Sequence, residues 1–392
     1  MAIIKKASAA VLAVVCVAVA TLGGIMTVHA YQGVLKSRVA ELAAARQEAS
    51  VTLQEARAAG LSTTPLANAL ATPAPPLGDR VALLITGGSG PNSWTTEATL
   101  LKADAAALQP ALAQWKSGMG AIKSERSILA AAFANLQKQL PQTASAIATR
   151  SHGLLLTGSV PTPEQPAALA ALKSNVAWAD TLISAASSAK NTITQSQSLL
   201  SQATQLKIAT TGVPSALAAL QTVYTSSTDP VSITNAVSTY ENSSAVNLLQ
   251  AEVRAADPGP GKVIVIRLAA QSLTAYDNGK VVLETPVTTG RPGLTTPIGV
   301  DTIGYHESPY LFISPWPPSS PYWYEPTWVT WVMEFHAGGY FIHDAWWEPN
   351  SVYGPGSEYG PDASHGCVQT PHAAMQFLYS WTPNGTTVVV AP

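Results

Sequence analysis

The composition of this chain changes at one short segment, residues 257–261, which reads Asp-Pro-Gly-Pro-Gly. Before it, Ala, Ser, Thr and Gln dominate; after it come most of the tryptophans and five of the seven histidines. Alternating proline and glycine are typical of turns and linkers. The change therefore predicts two kinds of structure in a chain of 392 residues, which is long enough for two domains and an anchor.

The N-terminal apolar segment is the candidate anchor. Residues 7–31 carry no formal charge when His29 is neutral, and Lys5 and Lys6 precede them. About 20 apolar residues span a bilayer, and flanking lysines favour a cytoplasmic N-terminus. We expect residues 1–31 to form a cytoplasmic tip and a transmembrane helix, which makes the protein a single-pass cell-membrane protein. The alternative is a signal peptide cleaved after Ala30, followed by secretion.

Residues 32–256 are predicted to be a helical extracytoplasmic spacer. Serine and threonine are weak helix formers, so packing between helices in a bundle or antiparallel coiled coil is expected to stabilise them. No cluster of ionisable residues suggests chemistry there; a stalk is the simpler interpretation, and a surface for a protein or glycan partner is the alternative. Helical periodicity covers residues 34–59, 95–140, 167–208, 214–225 and 230–253, while 62–80 and 153–166 carry the prolines of a linker and a turn-rich segment.

Beyond residue 261 the pattern is that of a mainly β domain. Asn278 and Gly279 favour the positive φ angles of a type I′ hairpin turn. One short helix is predicted, over residues 371–379. The fold class is therefore α+β in separate regions: a transmembrane helix, a helical region and a mainly β domain over 262–392. The strands are predicted over residues 262–268, 272–276, 281–287, 328–335, 340–343 and 386–390.

Cys367 is the most informative residue of the β domain. The other cysteine, Cys16, lies in the apolar N-terminal run, so an exported domain has no disulfide partner for Cys367. A lone thiol is either a candidate nucleophile or an inert buried side chain. The neighbours favour a nucleophile, because Ser-His-Gly precedes the cysteine and His343 lies upstream.

Three motifs in order carry a family resemblance. Thr-Gly-Arg-Pro-Gly-Leu-Thr-Thr-Pro-Ile-Gly occupies residues 289–299, Ile-His-Asp 342–344 and Ser-His-Gly-Cys-Val 364–368. Together they resemble the catalytic domain of the L,D-transpeptidase (YkuD-like) family, over about residues 262–392. The resemblance implies a peptidoglycan enzyme that transfers an acyl group from a tetrapeptide stem to an amine, which gives a 3→3 cross-link; the N-terminal run adds the expectation that it is membrane-anchored. The alternatives are an L,D-carboxypeptidase, with water as acceptor, and a non-catalytic cell-wall binding module.

The same resemblance implies roles for the motif residues. Cys367 is the nucleophile, His343 the general base and acid, and the backbone carbonyl of Asp344 orients His343. The carboxylate of Asp344 is disfavoured for that task, because adjacent residues of a strand point to opposite faces. The backbone N–H groups of Gly366 and Cys367 are candidate oxyanion donors. The candidate substrate-binding residues are Ser364, His365, Gln369, Tyr340 and Arg291.

Gln369 departs from the family pattern, which commonly has Arg or Asn two residues after the cysteine. Because glutamine carries no charge, capture of the stem's carboxylate falls to another group, for which Arg291 is the candidate. Two aromatic-rich segments, residues 310–324 and 346–359, are predicted to form a lid or a cleft wall; ordinary packing of a small β domain is the alternative.

Several classes of partner are disfavoured. A net charge of −2 with 11% charged residues gives no sign of a nucleic-acid partner. His306, His336 and His372 lack metal-ligand spacing, so neither a metal nor a cofactor is expected. The expected partners are peptidoglycan stem peptides and the membrane.

Overall fold

The computed structural model describes residue 29, residues 32–74 and residues 90–392. Apart from residue 29, the predicted anchor lies outside these ranges, so its structure stays a prediction. Within them, no helix combines the length and the apolar character needed to cross a bilayer.

The described residues before 257 are largely helical, as predicted. Residues 62–80, predicted as a linker or break, contain a helix of 8 residues. The predicted helix over 230–253 is two helices, because the chain leaves the helical conformation at Asn242 and Ser243, residue types that favour helix ends. The helices are α1 (residues 32–58), α2 (Thr64–Ala71), α3 (Gly90–Gln139), α4 (Ala144–His152), α5 (Gln165–Leu206), α6 (Val213–Ser226), α7 (Pro230–Glu241), α8 (Ser244–Ala256) and α9 (His372–Trp381).

The first of two compact units comprises residues 1–135 and 148–180. Its core is built largely from alanine and leucine at helical spacing, which lets helices approach closely. Ion pairs lie beside this core, including Lys116 Nζ with Glu55 Oε2 at 2.8 Å. The core residues are Leu42, Ala45 and Ala49 of α1, Leu66 of α2, and Trp94, Ala98, Leu101 and Ala105 of α3.

The second unit comprises residues 136–147 and 181–392. Its division from the first unit is not at the Pro-Gly segment 257–261, because α8 packs against the β domain. Ala251 and Ala255 of α8 are buried in one cluster with Val263, Val265 and Val389 of the sheet. The small alanine side chains bring the helix close to the strands.

Two main sheets build the β domain. The first has five strands in the order β3-β2-β1-β11-β4, where β1 and β11 run parallel and the other pairs antiparallel. Asn278 and Gly279 both have positive φ, as the hairpin prediction requires. The first-sheet strands are β1 (Lys262–Arg267), β2 (Ser272–Asp277), β3 (Lys280–Pro286), β4 (Gly299–Thr302) and β11 (Thr387–Ala391).

The second sheet carries the motif residues. Its order is β10-β9-β8-β5, and β6 pairs with β7 in a separate ribbon. β9 and β10 are parallel, with Ile342 opposite Val368 and His343 opposite Gln369. Its strands and those of the ribbon are β5 (Tyr305–Glu307), β6 (Tyr310–Phe312), β7 (Thr327–Val329), β8 (Val332–His336), β9 (Tyr340–Asp344) and β10 (Val368–Thr370).

One predicted strand, over residues 328–335, is divided between β7 and β8. At the division the backbone N–H groups of Thr330 and Trp331 donate to the Asp344 carboxylate, at 2.9 and 2.8 Å. These donors are therefore unavailable to a continuous ladder. A shared apolar core joins the elements around the site, and it includes Ile264, Leu273, Met333, Ile342, Val368, Leu378 and Val388.

Candidate active site

His343 lies on β9 with only 5% of its surface exposed. Its Nδ1 is 2.9 Å from the carbonyl oxygen of Asp344. Because a carbonyl oxygen only accepts, Nδ1 carries the proton and Nε2 keeps its lone pair. Burial lowers the pKa of His343. The imidazole is therefore neutral, and no described residue forms a hydrogen bond with its Nε2.

The carboxylate of Asp344 faces away from that imidazole. It is fully buried and accepts the two N–H groups of the β7–β8 division. Its second oxygen lies 2.9 Å from Nδ1 of His372. The backbone of Asp344 contacts His343, whereas its side chain holds the neighbouring strand and helix α9.

Cys367 directly precedes β10 and is a free thiol. It packs beside an aromatic cluster that includes Phe312 and Phe341. Burial raises the pKa of the Cys367 thiol to about 11, while a hydrogen bond from the Phe341 backbone acts in the opposite direction. At neutral pH the resting side chain is a thiol, so attack on a carbonyl requires a base.

The loop before Cys367 is fixed by its own hydrogen bonds. Ser364 Oγ accepts the Gly366 N–H at 3.1 Å and donates to the Cys367 carbonyl at 2.5 Å. Thr296 Oγ1 donates to the Gly366 carbonyl at 2.8 Å. The role of Gly366 as an oxyanion donor stays a prediction; in the resting loop its N–H donates to Ser364 Oγ.

Tyr340 supports the motif loop. Its ring packs on Gly366, where an added Cβ would lie 2.6 Å from Tyr340 Cε1. It also makes an edge contact with His336. Tyr340 is not among the residues that line the cavity described next, and its contact with substrate stays a prediction.

A cavity of about 290 Å³ brings the remaining candidates together. Its volume is at the lower end of the range for small-molecule sites. His343 and Cys367 both line it. So do four of the five predicted substrate-binding residues, which are Arg291, Ser364, His365 and Gln369, together with Phe312, Tyr324, Thr327, Trp347, Glu348, Pro361, Asp362 and Ala363.

Comparison with known proteins bears on this site. Residues 261–390 match the YkuD family model, the L,D-transpeptidase catalytic domain. The match covers both sheets, the three motifs and the cavity. It stops short of the helical region, and no curated protein gives a significant match to the chain.

Solved structures of L,D-transpeptidases are similar over the same third of the chain. A cysteine-to-serine mutant from Enterococcus faecium is 31% identical, over 34% of this chain and 50% of that one, with a TM-score of 0.30. A Mycobacterium smegmatis enzyme is 25% identical, over 34% and 60%, with a TM-score of 0.30. L,D-transpeptidase 3 from Mycobacterium tuberculosis, in complex with a faropenem-derived adduct, is 21% identical, over 34% and 61%, with a TM-score of 0.29. The chain thus spans about half to three fifths of their length.

Arg291 and His365 form one wall of the cavity. The Arg291 guanidinium donates to the backbone carbonyls of Ala363 and Ser364. The His365 ring is surrounded by aromatic rings, with the Tyr324 centroid at 5.3 Å. Burial, and then the charge of Arg291, lower the pKa of His365. This wall therefore carries one fixed positive charge and a neutral histidine.

Gln369 lies beside His343 in the strand register. Its backbone pairs with Thr288 in both directions, at 3.0 and 2.9 Å. The side-chain Oε1 is buried and has no hydrogen-bond partner in the described chain. The domain thus has an uncharged amide at the position where the family commonly has Arg or Asn.

The aromatic segments have mixed roles. Tyr324 and Trp347 line the cavity, as a cleft wall would, and Phe312 contacts the His343 ring with centroids 4.9 Å apart. Tyr353 is instead buried, and its hydroxyl donates a hydrogen bond to the Ala345 carbonyl. Tyr359 is 76% exposed and lines a different cavity.

The other histidines have partners outside the cavity. Nδ1 of His306 contacts Asn384 at 2.7 Å, and Nδ1 of His336 contacts Asp301 at 3.1 Å. Across residues 32–74 and 90–392, no three His, Cys, Asp or Glu side chains are grouped to hold a metal ion.

Sequence reasoning missed Glu348 and Asp362 as cavity residues. Their position in the sequence could have indicated them, since both lie between the His343 motif and the Ser-His-Gly-Cys motif. A connection between two catalytic strands brings its side chains to the site whenever it folds over them.

Proposed function

We propose that this protein is a membrane-anchored peptidoglycan L,D-transpeptidase that uses Cys367 as its nucleophile. One observation carries the proposal: Cys367 and a neutral His343, whose Nε2 has no hydrogen-bond partner among the described residues, line one cavity in the segment that matches the catalytic domain. A nucleophile, a base in the correct tautomer and a carbonyl that orients the base are the parts needed for covalent acyl transfer.

The first half-reaction follows from these groups. His343 Nε2 takes the proton of the Cys367 thiol as the sulfur attacks the backbone carbonyl of the third residue in a tetrapeptide stem, the donor. A C–S bond forms, and the C–N bond to the terminal D-alanine breaks. His343 returns the proton to the leaving amine. The product is a thioester on Cys367, which an amine of a second stem converts to a 3→3 cross-link.

The oxyanion of this step needs backbone donors. The Cys367 N–H is the first candidate, because the Gly366 N–H is bonded to Ser364 Oγ. The Gly366 N–H joins it when a substrate oxygen replaces the serine hydroxyl. An N–H group aimed at the developing charge stabilises it without reorganisation of solvent.

Membrane attachment belongs to the proposal through the sequence alone. Residues 7–31 form an uncharged run behind Lys5 and Lys6, which would place the helical region and the catalytic domain outside the cell. The helical region then holds the domain away from the bilayer and offers a surface to a protein partner. Protease accessibility in intact protoplasts tests this orientation.

Acylation by a carbapenem tests the nucleophile. The strained β-lactam carbonyl is an acyl donor for an activated thiol, so intact-mass spectrometry should show one added drug mass on the wild-type chain. Cys367→Ala should show none, and Cys16→Ala should react as the wild type does. An unmodified Cys367 after prolonged exposure to the drug would contradict its assignment as the nucleophile.

Purified tetrapeptide muropeptides test the reaction class. A 3→3 cross-linked product supports transfer, and release of D-alanine without cross-links indicates a carboxypeptidase. Binding without either product would indicate a cell-wall binding module.

A further inference from the structure

Another cavity lies in the helical part of the second unit. Its volume is about 540 Å³, within the range of small-molecule sites. One face of α5, the last two residues of α7 and one residue of α8 line it. It shares no lining residue with the cavity of Cys367. The cavity is therefore a separate candidate site.

The inward face of α5 changes character where it reaches this cavity. Leu182, Ala186 and Ala189 are buried apolar side chains, as expected of a helix that packs on its neighbours. The next buried residues along this face, Thr192 and Ser196, carry hydroxyl groups and line the cavity. Buried hydroxyls need hydrogen-bond partners that apolar side chains do not. Packing alone therefore does not explain the change.

These hydroxyls join α5 to the end of α7. Thr192 Oγ1 donates to Glu241 Oε1 at 3.1 Å, and Ser196 Oγ forms a hydrogen bond with the Tyr240 hydroxyl. Thr192, Ser196 and Tyr240 are each more than nine-tenths buried. The cavity thus has a polar floor that is fixed by its own bonds. Such a floor loses little conformational entropy when a ligand binds.

Two glutamines contribute free polar groups above this floor. Gln195 of α5 and Gln250 of α8 are exposed, and no hydrogen bond within the described chain occupies their side-chain amides. Each amide offers two N–H donors and a carbonyl acceptor. The cavity therefore presents donors and acceptors together, and a ligand that binds there must carry both.

Charge narrows the class of ligand. Among the described residues that line this cavity, Glu241 is the one charged side chain, and none is a lysine or arginine. An anion would meet a carboxylate with no cation to compensate it. A single exposed carboxylate holds a cation weakly. Leu199 is the one aliphatic side chain of the lining, so a lipid tail would bury little apolar surface.

We propose that this cavity binds a neutral amino-sugar chain, the chemistry of the glycan strand of peptidoglycan. Sugar hydroxyls both donate and accept, and an N-acetyl group is an amide that pairs with glutamine through two hydrogen bonds. These groups replace the bonds of displaced water one for one. The choice of a glycan rests on the proposed function, because an enzyme of stem peptides meets the strand that carries them. Binding itself needs no acyl transfer.

The test measures sugar binding to the purified full-length chain by saturation-transfer NMR. The probe is chitotetraose, a neutral chain of N-acetylglucosamine. The variants are Gln195→Ala, Gln250→Ala and their combination, which remove the free amides and keep the buried hydroxyls. The matched control is Gln197→Ala, because Gln197 is an exposed glutamine of the same helix that does not line the cavity. Alanine favours helix, and circular dichroism checks that every variant is folded.

We expect the double variant to raise the Kd for chitotetraose about tenfold, because each lost hydrogen bond weakens binding severalfold. Gln197→Ala should keep the wild-type Kd. A chain whose Cys367 carries a carbapenem should bind the sugar as tightly as the free chain does. A free tetrapeptide stem should not displace the sugar.

Absence of binding would overturn the inference, and so would equal Kd values in the double variant and in Gln197→Ala. Loss of binding on acylation of Cys367, or displacement by the tetrapeptide, would place the sugar in the catalytic cavity and overturn it as well. Failure of the proposed function is separate, because it is seen as absence of acylation at Cys367, whereas the Kd values of the glutamine variants are measured without any reaction.

Discussion

Nδ1 of His343 is held at 2.9 Å by the carbonyl oxygen of the next residue, Asp344. The bond fixes the tautomer and so leaves the lone pair on Nε2, and His343 lines the cavity that also contains Cys367. A backbone acceptor carries no charge, and the imidazole is thus oriented with less stabilisation of its protonated form than a carboxylate would give.

His343→Ala should slow carbapenem acylation of Cys367 by about 10²- to 10⁴-fold, the usual contribution of a positioned general base. His336→Ala, whose ring contacts Asp301 and Tyr340, is the matched control and should react nearly as fast as the wild type. Stopped-flow loss of β-lactam absorbance measures both. Equal rates in the two variants would show that the thiol does not depend on His343.

The raised pKa of Cys367, about 11, predicts a pH profile for alkylation. In a Cys16→Ala background, iodoacetamide labelling should keep rising with pH beyond pH 9. At pH 7 it should be about two orders of magnitude slower than with free cysteine. Mass spectrometry of timed samples measures the rate. A plateau reached near pH 7 would mean a stabilised thiolate and contradict this profile.

The raised pKa of Cys367 also makes the folded chain less stable at alkaline pH. The folded chain holds the thiol protonated above the ordinary value of 9.0, so the unfolded chain loses this proton first as pH rises. The contribution of the protonated Cys367 thiol to the free energy of unfolding is complete below about pH 9 and is lost between pH 9 and 11. Urea denaturation should therefore show a smaller alkaline loss of stability in Cys367→Ala than in the wild type.

Gly366→Ala should destabilise the motif loop more than an ordinary substitution at positive φ. Gly366 has φ +119°, and an added Cβ would lie 2.6 Å from Tyr340 Cε1. Gly385 has φ +84° with nothing within 4 Å, so Gly385→Ala isolates the backbone strain at about 1–2 kcal/mol. Gly366→Ala should cost about 1–3 kcal/mol more, from overpacking. Equal free energies of unfolding would mean that Tyr340 moves aside freely.

Asp344→Ala should lower the free energy of unfolding by about 2–4 kcal/mol, since it leaves the buried N–H groups of Thr330 and Trp331 without an acceptor. Asp344→Asn keeps one acceptor oxygen and should be milder. His372→Ala leaves both N–H donors bonded to Asp344 and removes the half-exposed ring, with its contacts to Asp344 and Trp331, so it serves as control. Chemical denaturation followed by tryptophan fluorescence compares them; a loss in Asp344→Ala no larger than in His372→Ala would refute this account.

Local patterns predicted much of the fold. The Asn278-Gly279 turn, the central strands and the helical character of the described residues before 257 all follow from short-range preferences. The division of residues 328–335 into β7 and β8 does not, because the acceptor that captures Thr330 and Trp331 is the side chain of Asp344, 14 and 13 residues away. Tertiary contacts of this kind override strand propensity.

The site shows the same limit. The order of the motifs indicated Cys367 and His343, but the bond from the Gly366 N–H to Ser364 Oγ depends on a loop conformation that residue types alone do not specify. Glu348 and Asp362 enter the cavity only because the segment between the motifs folds back over it. The order of the motifs predicted that Cys367 and His343 lie in one site, whereas the wall of the cavity depends on how the segment between the motifs folds.

The position of β11 has a consequence for how the chain matures. Thr387–Ala391 forms an interior strand of the five-stranded sheet, between β1 and the edge strand β4. Until these residues have left the ribosome, β1 and β4 are open edges and the sheet cannot close. The strands synthesised earlier therefore wait for β11 before they can complete their hydrogen-bond ladder.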